Sequence, residues 1–106
     1  MIFIGMYIGF NMNKVFNIIS DHIDIFNSFT EVYLFGSVIQ SNKEPNDVDL
    51  LLVYEKYSEE ILDAKNMIES FLKNLLVLNI DITILSEQEL EQTGFIEKIA
   101  IYKRLK

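Results

Sequence analysis

The chain contains no cysteine, which excludes disulfides and thiolate zinc sites and fits a reducing cytoplasm. It has one histidine, His22, with no nucleophile bracketing it, so a Ser-His-Asp mechanism has no residues to work with. Basic residues are scarce. Nine Lys and Arg stand against sixteen Asp and Glu, for a formal net charge of −7, a poor match for a long nucleic acid. Only Lys103, Arg104 and Lys106 gather cations. Long apolar runs are missing too. The opening MIFIGMYIGF is apolar, but a membrane helix takes about 20 residues. It also lacks the basic leader and small-residue cleavage site of a secretory signal. The expectation is a cytoplasmic protein, with no membrane and no long nucleic acid among its partners.

At 106 residues, half of them hydrophobic, the chain can build one core and not two. Met12 stands directly before a helical pattern. Residues 1–12 are therefore expected to be an apolar N-terminal extension, with Met12 a candidate start and the domain spanning 13–106. An additional strand at the N-terminus is the alternative.

From Asn13 to about Phe29, apolar residues recur at Val15, Ile18, Ile19, Ile23, Phe26 and Phe29, which predicts a helix with one buried stripe. Glu31 to Phe35 reads as a short strand running into Gly36-Ser37. The segment to Asn46 holds the only proline and reads as a connection. Asp47 to Tyr54, DVDLLLVY, predicts a central strand covered on both faces after Asp49. Ser58, followed by Glu59 and Glu60, predicts the N-cap of a helix carrying Ile61, Leu62, Ala64, Ile68, Phe71, Leu72, Leu75 and Leu76. In NIDITIL, Ile80, Ile82 and Ile84 face one way and Asp81, Thr83 and Leu85 the other. Ser86 and Glu89 give the S-x-x-E capping-box signature. Gly94 breaks the chain, and Phe95 to Leu105 reads as a final helix. The expectation is an α+β domain, a small mixed three-stranded sheet packed against helices.

Two aspartates one residue apart open the most apolar strand. Residues two apart on a strand share a face, so Asp47 and Asp49 project together. If the strand containing Asp81 is a neighbour, about 4.8 Å away, a third carboxylate joins them. Three such acids repel one another and raise at least one pKa unless a cation intervenes. Hard, oxygen-seeking Mg²⁺ would make them ligands, and a pair of ions would suit an in-line phosphoryl transfer. Gly36 lets the backbone approach a phosphate closely, and the amides at and after Ser37, with its hydroxyl, can hold triphosphate oxygens. Asp21 and Asp24 lie three apart on a helix and read as a solvated face. His22 reads as a packing or surface residue.

The ordered set LFGS, NDVDLLLVY and NIDITILSE resembles the nucleotidyltransferase superfamily of the DNA polymerase beta type, in lengths like its smallest branch, the minimal nucleotidyltransferase (MNT) domain. The resemblance covers roughly Asn13 to Tyr102. It implies a nucleotidyltransferase fold, with Gly36 and Ser37 at the nucleotide phosphates and Asp47, Asp49 and Asp81 as catalytic, metal-binding carboxylates. It also implies ATP as donor, two Mg²⁺ ions, loss of pyrophosphate, and Asp81 as general base or metal ligand. Family members commonly follow Gly-Ser with Arg-Ala-Arg-Gly; here Val38-Ile39-Gln40-Ser41 removes a charge partner for phosphate.

Larger relatives append an acceptor-gripping domain, so the acceptor here is expected from another polypeptide or a second copy of the chain. Free-standing domains of this type are similar to antitoxins that adenylylate a helical HEPN ribonuclease toxin. Three readings stand: a protein adenylyltransferase serving as antitoxin, a transferase with a small-molecule acceptor, and a catalytically silent antitoxin that works by binding.

Overall fold

In the computed structural model, which describes residues 12–36, 47–99 and 101–106, strand pairing around one buried segment sets the architecture. Helix α1, Met12–Ser20, is followed by a 3₁₀ turn, Ile23–Phe26. Then come β1, Glu31–Phe35, and β2, Asp47–Tyr54. Helix α2, Glu59–Leu76, leads to β3, Asn79–Ser86. Two short helices, α3 (Glu87–Thr93) and α4 (Phe95–Ile99), precede β4, Tyr102–Arg104.

The sheet has the order β3-β2-β1-β4. β2 runs antiparallel to β1 and parallel to β3, and β1 runs antiparallel to β4. The parallel pair follows from α2: a helix between adjacent strands carries the chain back to its starting end. The mixed sheet expected from the sequence is present, but with four strands rather than three. The predicted helix from Phe95 to Leu105 ends at Ile99, and Tyr102–Arg104 pairs with Phe35–Tyr33 instead. Its physical cause is the outer edge of β1, whose backbone groups find partners in the last residues. Leu105 N–H donates to the Val32 carbonyl at 2.7 Å, and Val32 N–H donates to that of Lys106 at 3.1 Å. The Lys106 ammonium also donates to the Phe26 carbonyl at 3.0 Å.

The first predicted helix is likewise shorter than its periodicity suggested. It stops at Ser20, and the 3₁₀ turn re-aims the stripe so that Val15, Ile19, Phe26 and Phe29 all stay buried. His22 packs edge-on against Phe71, with ring centroids 5.2 Å apart. Ser58 occupies the N-cap position of α2 but makes no side-chain capping bond. The Ser86 box forms in full: its hydroxyl accepts from Glu89 N–H at 3.0 Å, and Glu89 Oε1 accepts from Ser86 N–H at 2.9 Å.

Leu50, Leu51, Leu52 and Val53 are fully buried, as a strand covered on both faces requires. Each such side chain contributes about 1.5–3 kcal/mol, which is what lets β2 tolerate carboxylates at its start. One face carries Val32, Leu34, Val48, Leu50, Leu52 and Ile80 against Val15, Ile19, Ile61, Ile68, Leu72 and Leu76 of α1 and α2. On the other, Tyr33, Leu51 and Val53 meet Phe35, Leu85, Leu90, Phe95 and Ile96.

Candidate active site

The other end of that second face holds the acids. Alternation along β2 puts Asp47 and Asp49 on the face of Leu51 and Val53, and alternation along β3 puts Asp81 on the face of Leu85. The parallel register then decides their neighbours. Asp49 lies directly opposite Asp81, and Asp47 lies opposite Asn79. Asp47 and Asp49 are partly covered, whereas Asp81 and Asn79 are exposed. A groove of about 620 Å³, lined by Lys73, Asn74, Val77, Leu78 and Asn79, adjoins the start of β3.

Asp49 carries the electrostatic strain. Burial, then the charge of Asp81, then that of Asp47 push its pKa above the ordinary aspartate value. The carboxylate leans toward Gly36. That residue has φ +87°, and a Cβ placed on it would overlap Asp49 Oδ2 and stand 2.8 Å from Asp49 Cγ. Gly36 thus serves the site twice. It turns the chain at the end of β1 through a conformation that L side chains rarely adopt, and it leaves room for the acid. Ser37 lies outside the described residues, as do residues 1–11 and the Val38-Ile39-Gln40-Ser41 stretch.

Among the described residues, no three His, Cys, Asp or Glu side chains stand close enough to hold one ion together. The Asp49 carboxylate lies against Gly36. The donor set nevertheless fits a hard divalent cation in kind, with three carboxylates on two adjacent strands and Asp49 biased toward its proton by burial, then by Asp81 and Asp47. The backbone register aligns Asp49 with Asp81.

Phe35 pairs with Asp49 on the opposite side from Asp81, and Tyr102 pairs with Phe35. The sequence pattern places Tyr102 within a helix running from Phe95 to Leu105, whereas it lies on β4 beside Phe35. No local signal separates a three-residue strand from the end of such a helix.

The mixed sheet thus carries α1 and α2 on one face, and Asp47, Asp49 and Asp81 on the other, beside the Gly36 turn. The chain belongs to the nucleotidyltransferase domain family, whose model it matches over residues 15–106. A search by sequence among curated proteins finds no match. Two solved structures share the fold. One is described as tri-AMPylated Shewanella oneidensis HEPN toxin in complex with MNT antitoxin; the TM-score is 0.56 at 18% identity, covering 90% of this chain and 71% of that one. The other is a mutant of the toxin–antitoxin MntA–HpeT with two aspartate-to-glutamate substitutions; the TM-score is 0.53 at 20% identity, covering 91% and 73%. No helix among the described residues is long and apolar enough to cross a membrane.

Proposed function

We propose that this domain transfers AMP from ATP to a hydroxyl group of a partner protein, as the antitoxin of a pair whose toxin is of the HEPN type. The observation that supports this most is the register pairing of Asp49 with Asp81, two residues from Asp47, where the Gly36 turn closes on Asp49. Family membership supplies the reaction class. The two structural relatives, one named with an AMPylated toxin, favour a toxin as acceptor.

In this reading Gly36 and Ser37 offer the backbone approach and the amides that hold phosphate oxygens. Asp81, the most exposed of the acids, accepts the proton of the attacking hydroxyl. The acceptor oxygen bonds to the α-phosphorus of ATP as the bond to pyrophosphate breaks. Magnesium, two ions held by Asp47, Asp49 and Asp81, would neutralise the triphosphate and the charge developing on the transferred group.

Intact-mass measurement of a HEPN partner, after incubation with this chain, ATP and Mg²⁺, tests the proposal. The expected result is a gain of one or more AMP groups, abolished by Asp47→Asn or Asp49→Asn. An unmodified but inhibited partner would instead support neutralisation by binding alone. That second reading is favoured by the absence of arginine in Val38-Ile39-Gln40-Ser41. A partner neither modified nor inhibited would sink both.

A further inference from the structure

The carboxylate row does not end at Asp49. Asp81 pairs with Asp49, Asp49 with Phe35, and Phe35 with Tyr102, so one register row crosses all four strands. Paired residues share a face, and two carboxylates are thus followed by two aromatic rings. Phe35 is half-buried, with its ring edge-on to Phe95 at 5.7 Å. Tyr102 is 41% exposed, with its ring braced edge-on by Tyr33 at 5.4 Å. Its neighbours on β4 have other tasks. Lys103 lies over the Phe16 ring at 4.6 Å, and the Arg104 guanidinium lies over Tyr33 at 5.6 Å while donating to the Lys106 carbonyl.

We infer that Tyr102 seats the purine ring of the nucleotide donor, an inference that rests on the nucleotidyl-transfer reading above. Two strand spacings, about 9–10 Å, separate Asp49 from Tyr102 along the row. Phosphates held at Gly36 and the acids leave a sugar's length before the ring arrives, with Phe35 as an apolar floor between. The braced, partly exposed ring of Tyr102 offers a surface for stacking, and stacking tolerates any base because every base has a π-face. An aromatic seat also replaces, as a source of affinity, part of what the arginine-free segment after Gly36-Ser37 lacks.

The test is titration of the full chain with ATP and, separately, with tripolyphosphate, both with Mg²⁺, for wild type, Tyr102→Ala and Tyr102→Phe. Stacking predicts ATP binding weaker by roughly 5- to 100-fold in Tyr102→Ala and within about twofold of wild type in Tyr102→Phe, with tripolyphosphate affinity unchanged in both. Equal ATP affinity in wild type and Tyr102→Ala would overturn the inference and leave the transfer reading intact. A parallel loss of ATP and tripolyphosphate affinity would also overturn it, as damage to β4 rather than loss of a stacking partner. Wild type that binds neither probe would remove the transfer reading and this inference together.

Discussion

Gly36 and the carboxylate of Asp49 occupy adjoining space so closely that no side chain fits at position 36: a Cβ would overlap Oδ2, and the backbone there has φ +87°. The end of β1 and the acid of β2 are therefore one unit, and a change to either is felt by the other.

Gly36→Ala combines a left-handed backbone with this overlap, and its expected cost is about 1–3 kcal/mol of folding stability. Asp49→Gly removes the overlap but not the backbone strain. Urea unfolding of the two single variants and the double variant should give a coupling energy in the range of about 0.5–3 kcal/mol, with the double variant more stable than additivity predicts. Additive single effects would show that the contact carries no energy.

Asp49 also predicts a pH dependence. Its folded-state pKa lies above the unfolded value because of burial, Asp81 and Asp47. In the window between those two values the folded chain binds the extra proton, so its contribution to stability falls as pH rises through the window. Below the unfolded value the acid is protonated in both states and costs nothing. Without added divalent cation, Asp49→Asn should raise the melting temperature at neutral pH and lose that advantage in acid. Added Mg²⁺ should stabilise wild type more than the variant. A variant advantage that is flat with pH would exclude charge repulsion as its cause.

Asp81 tests the chemical step. In the proposed mechanism Asp81→Asn removes the proton acceptor, with an expected loss of about 10²–10⁴-fold in AMP transfer. Single-turnover rates alongside ATP affinity check this. A rate within a few-fold of wild type would remove Asp81 from the mechanism.

The capping box is a structural control far from these questions. Ser86→Ala removes the hydroxyl that accepts from Glu89 N–H at the start of α3. It should cost about 0.5–2 kcal/mol in chemical unfolding and leave ATP affinity unchanged.

Local patterning made much of this legible from the sequence. Period-two alternation put Asp47 with Asp49 and separated Asp81 from its isoleucine neighbours. Four consecutive apolar residues announced the buried middle of β2, and Ser86 with Glu89 announced a helix start. These are properties of neighbouring residues, and neighbouring residues suffice to fix them. Tertiary structure alone decided the rest. That Asp49 meets Asp81 and not Thr83, that Gly36 presses on Asp49, and that Tyr102 joins the same row all depend on strand register. Register is set between segments tens of residues apart. The last segment shows the reason most directly: Phe95 to Leu105 has apolar residues that suit a helix, yet the outer edge of β1 needs hydrogen-bond partners, and Tyr102–Arg104 supplies them.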